Sequence, residues 1–443
     1  MTIELDRETA QAAGAAAPIG ARARLGAVAQ RTFQSLEVTD FRILWFGFMG
    51  SWFAMQMQQV ARGYLAYELS GNAFALGLVT LAMGAPRIVL SPIGGVLADR
   101  FTKRTVLLWT QAALGLIALF QAVLLSTHLM TIQWLIVAGF FQGAAFSFNM
   151  PARQAYLPAV VGKGDMLANA LALNNAGMNM TRVLGPSIAG LLIAVPFIGI
   201  PGVFYIIAGC YIWVWWSVYR VQNPGTAVGA RRGVARSVGD GFAYVFRHPQ
   251  LLALIGLGFV PLAIGLPYIS LMPVVAVHDL DIGSVGLGIL LSAGGIGSLC
   301  GTLAVAYLAS YPRKAFLQQV LGITFGVGLV SFGFFTYHRL LLAVIPCLFL
   351  MGMCSDAYLA LNSTLIMMNT DASVYGRVMG VYMMAQSIRP VTVLPISAIA
   401  DLAGTPLTLL GCGAIVTVFI FGVVTLYPGY RRIGEGAGSA AAI

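Results

Sequence analysis

Charge is scarce in this sequence of 443 residues, since only 9% of the residues are Asp, Glu, Lys or Arg while 59% are hydrophobic. A soluble domain carries roughly 25% charged residues, so the composition excludes a soluble globular protein. Apolar runs of about 20 residues, long enough to cross a bilayer, recur along nearly the whole chain. Because no water satisfies the backbone inside a bilayer, we expect these spans to be helices.

Cysteine and histidine are also few, with five Cys and four His in the whole sequence. The cysteines fall inside the predicted spans without paired spacing, which indicates small core residues rather than a disulfide framework. The histidines are scattered at span ends and predict neither a metal site nor any other cofactor. The phosphate-binding motif G-x-x-x-x-G-K-[ST] is absent, so nothing in the sequence supports an ATP-driven pump.

The net charge of +10 indicates membrane topology rather than nucleic-acid binding. The cations outside the predicted spans lie on one side of them, and Arg339 is the single exception. This bias places both termini in the cytoplasm. We therefore expect a multi-pass protein of the cell (inner) membrane, surrounded by the lipid bilayer and without a nucleic-acid partner.

The apolar runs predict an all-α membrane protein with about twelve transmembrane helices in two pseudo-symmetric six-helix bundles. Asn149 and Asp356 are separated by 207 positions, as are Arg182 and Arg389, which favours duplicated halves. The expected organisation is a disordered cytoplasmic tail (1–39), a first bundle (40–220), a cytoplasmic linker (221–250), a second bundle (251–428) and a second cytoplasmic tail (429–443).

A charged turn between two long apolar runs has the sequence Gly94-Gly95-Val96-Leu97-Ala98-Asp99-Arg100-Phe101-Thr102-Lys103-Arg104. Its spacing G-x-L-A-D-R-x-x-K-R resembles the loop between the second and third helices of the major facilitator superfamily. The resemblance implies a conformational gate in which Asp99 lies beside the positive end of the eleventh helix. The gate residues are then Gly95, Asp99, Arg100, Lys103, Arg104, Gly376 and Arg377.

Three further stretches resemble the drug:proton antiporter branch of that superfamily, which includes macrolide exporters and the enterobactin exporter. They are Asn149-Met-Pro-Ala-Arg153-Gln-Ala-Tyr-Leu-Pro158, Gly185-Pro186-Ser-Ile-Ala-Gly190 and Tyr375-Gly-Arg-Val-Met379. The resemblance implies alternating access coupled to protons, with Gly185, Pro186 and Gly190 in helix packing. The chain departs from this branch at Ala189, where a glycine is usual, and at Gly139, where related exporters carry an arginine.

Ionisable residues inside predicted spans are costly, so each one is a functional candidate. Asp356 and Arg389 lie at matching depth on consecutive helices, and we expect them to form an ion pair. The pair is either structural or a proton-sensitive switch. Asp356 is the only carboxylate deep in any predicted span, which makes it the candidate for proton coupling.

Deep arginines outnumber deep carboxylates, which favours an anionic substrate in a cavity between the bundles. The cavity candidates are Gln58, Arg62, Arg87, Gln142, Asn149, Asn175, Arg182 and Arg389. The alternative is that the arginines satisfy backbone carbonyls at helix breaks, and that the amides only form interhelical hydrogen bonds.

Together these features predict a monomeric secondary transporter that exports an amphiphilic, anionic small molecule in exchange for protons. Within transport, the alternative is an importer or facilitator of an organic anion. A membrane receptor or enzyme on the same scaffold is the other class. An enzyme would need a nucleophile–base pair or a metal cluster, and the sequence offers neither.

Overall fold

The computed structural model describes residues 34–162, 164–225, 242–308, 311, 313–371, 374–426 and 430, and the side chains of residues 91–100, 165, 376 and 386 lie outside this description. Within the described part, helix is the only regular secondary structure. This confirms the all-α architecture that the long apolar runs predict. Nine of the described helices are long and apolar enough to cross a membrane.

The first bundle contains six long helices in which consecutive helices run in opposite directions. They are α1 (Thr39–Ser70), α2 (Ala73–Arg100), α3 (Lys103–Ser126), α4 (Ile132–Val161), α5 (Asp165–Ala194) and α6 (Gly199–Arg220). The first turn is tight because Gly71 takes a left-handed φ of 68° and its N–H donates to the Tyr67 carbonyl. Within this bundle α1 packs on α5 and α6, α2 packs on α4, and α3 packs on α4 and α6.

The second bundle repeats this arrangement, but two of its helices are interrupted. Its members are α7 (Pro249–Asp279), α8 (Gly283–Tyr307), α9 (Lys314–Tyr337), α10 (Leu341–Met368), α11a (Tyr375–Gln386), α11b (Arg389–Ala403) and α12 (Thr405–Leu426). Counting α11a and α11b as one, the described residues form twelve long helices. The three that are not among the nine apolar spans are α1 and α5, which are more polar, and the broken α11.

Prolines account for both interruptions. In α7, wide π-helical turns occur at Pro261–Gly265 and Val275–Asp279. In α11, the break at residues 387–388 comes just before Pro390, which lacks an N–H and disfavours the helical conformation of the residue before it. The break places the N-terminal end of α11b well inside the membrane-spanning part of the chain.

The bundles meet along two helix pairs, α2 with α11b and α5 with α8, which occupy equivalent positions in the repeat. Close approach depends on glycine. A Cβ placed on Gly77 of α2 would lie 2.9 Å from the Ser397 Cβ, and a Cβ on Gly288 of α8 would lie 2.7 Å from the Pro186 carbonyl oxygen. These contacts join residues in the half of each helix that the charge bias assigns to the outer side.

The ends of the predicted tails and linker are partly described. Residues Gln34–Glu37, which lie in the tail expected to be disordered, form a short 3-10 helix, and the buried Ser35 bonds the Asn169 side chain. Tyr430, in the second predicted tail, donates to the Ala315 carbonyl at 2.9 Å. Residues 1–33, 226–241, 427–429 and 431–443 lie outside the described residues.

Candidate functional site

An ion pair joins the two bundles near the middle of the spans, where the Arg182 guanidinium of α5 contacts the Asp356 carboxylate of α10. The two side chains are 37% and 22% exposed, so neither is fully enclosed by the protein. This corrects the sequence-based prediction, which pairs Asp356 with Arg389. Counting residues along two helices gives the depth of each charge but not the direction in which its side chain points, and two arginines lie at this depth.

The glycine-rich surface of α8 explains why Arg182 is the partner. A Cβ on Gly295 would lie 3.0 Å from the Arg182 carbonyl oxygen, so α5 lies directly against α8. On its other side α8 packs closely on α10, where a Cβ on Gly297 would collide with the Phe349 carbonyl. Since α8 holds both neighbours at backbone distance, the long Arg182 side chain reaches Asp356.

Arg389 lies near this ion pair without joining it, and Arg87 lies near Arg389. Arg389 lies within electrostatic range of Arg182, Arg87, Asp356 and Tyr268. Arg87 is placed 5.9 Å from the centre of the Phe146 ring. Among the residues that the structure describes, neither guanidinium has a hydrogen-bond or ion-pair partner. Arg389 therefore has two guanidinium groups and one carboxylate within electrostatic range.

A fourth arginine, Arg62, belongs to a polar network inside the first bundle. Arg62 Nη1 donates to Gln142 Oε1 at 2.8 Å, and Gln142 Nε2 donates to Gln58 Oε1 at 2.5 Å. Gln58 Nε2 in turn donates to Gln121 Oε1 at 3.2 Å. Gln58 and Gln142 are buried while Arg62 is half-buried. The two glutamines therefore tie α1 to α3 and α4, and they hold Arg62 towards Arg87, with which it interacts electrostatically.

Two other cavity candidates, Asn149 and Asn175, lie apart from the arginine cluster, which consists of Arg62, Arg87, Arg182 and Arg389. Asn149 is fully buried inside the first bundle and donates to Thr110 Oγ1 at 2.8 Å. Arg153, from the same sequence motif, is sandwiched between the rings of Phe48 and Trp52 at 3.9 and 4.0 Å. These contacts make the motif a packing element between α4 and its neighbours. Asn175 is exposed on α5.

The predicted gate divides into a part that the structure describes and a part that it does not. The side-chain environments of residues 95, 99, 100 and 376 are not described, which covers Gly95, Asp99, Arg100 and Gly376. Arg377 is exposed. Of the two cations that follow the turn, Arg104 makes its side-chain hydrogen bonds within the first bundle. Lys103 is buried, and Arg104 donates to the Val218 and Tyr219 carbonyls at the end of α6. The negative end of the α6 dipole favours a cation at this position.

The predicted packing residues lie in two different contacts. A Cβ on Gly185 would approach the Gln56 Cβ of α1 to 2.6 Å, so Gly185 packs inside the first bundle. Pro186 and Gly190 face Gly288 of α8 in the second bundle. Serines reinforce the α5–α8 contact, since Ser187 donates to Ser292 Oγ at 2.7 Å and Ser292 donates to the Val183 carbonyl at 2.7 Å.

Sequence reasoning missed Asp401, a carboxylate at the outer end of the interface between the bundles. Asp401 Oδ1 accepts the Ala73 N–H at 2.6 Å, and Oδ2 accepts the Phe74 N–H at 2.7 Å. The second bundle thus caps the first turn of α2. A usable signal was present, because an aspartate in the last turn of its own helix is unfavourable and indicates a partner elsewhere.

Sequence reasoning also missed Asp279, a second largely buried carboxylate. It ends α7, its side chain is only 10% exposed, and its Oδ1 lies 3.0 Å from His278 Nδ1. Asp356 is therefore not the only buried carboxylate of the described spans. Asp279 lies at the outer end of its helix, however, and Asp356 is the one within reach of the arginine cluster.

Comparisons with known proteins agree with this architecture. The transmembrane secretion effector family matches residues 30–427. The staphyloferrin A transporter of Staphylococcus aureus is 24% identical over 380 residues, which cover 84% of this chain and 92% of that protein. The multidrug efflux pump Tap of Mycolicibacterium fortuitum is 26% identical over 380 residues, covering 83% and 90%. A solved bacterial homolog to the human lysosomal transporter Spinster has a similar fold, with a TM-score of 0.71, 11% identity, and coverage of 89% and 96%.

Proposed function

Since this chain belongs to the transmembrane secretion effector family of the major facilitator superfamily, and is therefore a multi-pass membrane transporter and not an enzyme, we propose that it exports an amphiphilic, anionic small molecule in exchange for protons. Export is supported by the relatives, one of which is a multidrug efflux pump. The transporter would act as a monomer in the bacterial inner membrane, with both termini in the cytoplasm. Residues 40–220 and 251–428 would rock against each other to give alternating access.

The observation that carries this proposal is the Arg182–Asp356 ion pair, because it connects the two moving bundles. While Asp356 is ionised, the pair holds α5 to α10. Protonation of Asp356 would remove the negative charge and with it most of the attraction, which frees the bundles to change their relative position. Asp356 would thus be the proton-coupling residue.

The surplus of guanidinium groups supports an anionic substrate. Arg389 interacts electrostatically with Arg87 and Arg182, and Asp356 is the one carboxylate of the described residues that acts on it. Apolar groups flank the cluster, since Met83 Sδ lies 2.9 Å from Arg62 Nη1 and Phe146 faces Arg87. A substrate with an acidic group for the arginines and an apolar body for these neighbours is an amphiphilic anion.

Proton–anion symport is the second candidate, and the same ion pair favours it. A proton on Asp356 would leave Arg182 free for an anionic substrate, so binding of the proton and of the anion would reinforce each other. Such linkage would carry both ligands in the same direction. This corresponds to an importer of an organic anion.

A transport assay in proteoliposomes distinguishes the two candidates by the sign of an imposed pH gradient. An antiporter accumulates the substrate in vesicles with an acidic lumen in alkaline buffer, because protons leave as the substrate enters. A symporter accumulates it in vesicles with an alkaline lumen in acidic buffer. The assay should compare matched anionic, neutral and cationic amphiphiles. If accumulation is the same with either gradient, the proposed proton coupling is wrong. If the cationic amphiphiles are transported better than the anionic ones, the proposal of an anionic substrate is wrong.

A further inference from the structure

Arg87 and Arg389 lie on opposite bundles at the place where α2 and α11b separate. These two helices approach closely at Gly84 and Pro390, where a Cβ on the glycine would collide with the proline ring. Arg87 follows Gly84 by three residues towards the cytoplasmic end of α2, and Arg389 directly precedes Pro390. The two guanidinium groups are close enough to interact electrostatically. They therefore stand just below the closed part of the interface.

The local field at this point is strongly positive. Arg389 is the first residue of α11b, so its charge adds to the partial positive charge at the N-terminal end of that half-helix. Cations are normally found at the opposite end of a helix. Asp356, the nearby carboxylate, already pairs with Arg182. Broken helices in transporters present such N-terminal ends to anionic groups.

We propose that the acidic group of the transported substrate binds between Arg87 and Arg389 and bridges the two bundles. This inference rests on the proposed function and narrows its substrate class to molecules that carry a carboxylate, phosphate or similar oxyanion. One oxyanion accepts hydrogen bonds from two guanidinium groups, each of which presents several N–H donors in a planar fork. The bound charge would also relieve the repulsion between the two arginines.

The test compares the parent protein with Arg87→Gln, Arg389→Gln and Arg389→Lys, and uses Arg42→Gln as the control. Arg42 is an exposed cation near the start of α1, so its replacement makes the same charge change away from the interface. The probes are 2-naphthoate, its neutral amide 2-naphthamide, and inorganic sulfate. Binding to the purified full-length protein is measured by calorimetry, and the Tm is measured with and without each probe.

We expect the parent and Arg42→Gln to bind naphthoate about tenfold more tightly than naphthamide, since the amide lacks the charge that strengthens these hydrogen bonds. Arg87→Gln and Arg389→Gln should lose this preference, whereas Arg389→Lys should keep part of it. Without any probe, Arg389→Gln should melt at the parent temperature or above, because it removes a like-charge contact. A lower Tm for Arg389→Gln would assign Arg389 a structural role and overturn the proposal.

Two further outcomes would also overturn it. If naphthoate binds the parent no more tightly than naphthamide, Arg87 and Arg389 do not select an acidic group. If sulfate abolishes naphthoate binding at equal concentration, the arginines hold inorganic anions instead of the substrate. Both results come from binding measurements and leave pH-gradient-driven transport in proteoliposomes to be tested separately. Failure of this inference is therefore distinguishable from failure of the proposed function.

Discussion

The Asp356 carboxylate of α10 pairs with the Arg182 guanidinium of α5, and so connects the second bundle to the first. An ion pair within one bundle would only fix the rotation of neighbouring helices. A pair between bundles is made and broken whenever the bundles rock, so its strength affects the balance between conformations. Both side chains are partly exposed, so the pair is not sealed inside the protein.

The first prediction is that Asp356→Asn abolishes pH-gradient-driven accumulation and preserves exchange of substrate down its own gradient. An amide keeps the shape of the protonated acid but cannot release a proton. Accumulation and counterflow are measured in the same proteoliposomes. The matched control is Asp281→Asn, an exposed carboxylate in an outer turn, where asparagine tolerates the left-handed φ of 54°.

Arg182, the partner of Asp356, allows a second test that separates stability from coupling. Asp356→Asn leaves Arg182 without its counter-charge, so the variant should also be less stable. The double change Asp356→Asn with Arg182→Gln should recover stability, but not accumulation. If Asp356→Asn still concentrates substrate under a pH difference, the pair is structural, and coupling runs through another group such as Glu68, which is exposed near the outer end of α1.

The second prediction concerns the contact of Gly84 with Pro390. Gly84→Ala should destabilise the protein by about 1–3 kcal/mol, the usual cost of forcing extra volume into a packed contact. The Tm in detergent measures the effect. Gly411→Ala on α12 is the control, because nothing lies within 4 Å of a Cβ at that glycine and alanine favours the helix. Equal melting temperatures for the two variants would argue against a tight α2–α11b contact.

Helix positions and the depths of charges were predictable, because spans need a minimum apolar length and each residue adds a fixed rise. Which helices lie side by side, and which of their side chains meet, could not be predicted from the sequence. Arg182 and Arg389 are equivalent in the repeat, and only the packing of α8 between α5 and α10 decides which one reaches Asp356. Gln58 and Gln142 were recognisable as polar residues inside spans, but their network needs the positions of three helices.

The third prediction is that Asp99→Asn shifts the protein towards the conformation open to the cytoplasm. Asp99 is expected to hold α2 to the positive end of α11a, and an amide interacts more weakly with that end. Spin labels at Gln154 and Met368, both exposed on the cytoplasmic halves of α4 and α10, report the distance after the native cysteines are replaced. Glu37→Gln, an exposed acid before α1, is the control. Unchanged distances in Asp99→Asn would remove the support for this gate.

The last prediction is that Asp401 closes the outer end of the same helix pair. Its two hydrogen bonds to the first N–H groups of α2 form a helix cap supplied by the other bundle. Loss of a cap typically costs about 0.5–2 kcal/mol, and here the cost falls only on the conformation that is closed outside. Asp401→Ala should therefore lengthen the distance between spin labels at Leu129 and Leu342, two exposed residues at outer helix ends. Asp401→Asn should have a smaller effect, since it keeps one acceptor oxygen.

Asp99 and Asp401 would then act at opposite ends of α2 and α11, so Asp99→Asn and Asp401→Ala should shift the conformational balance in opposite directions. A shift in the same direction would mean that at least one of the two carboxylates stabilises folding instead of one closed state.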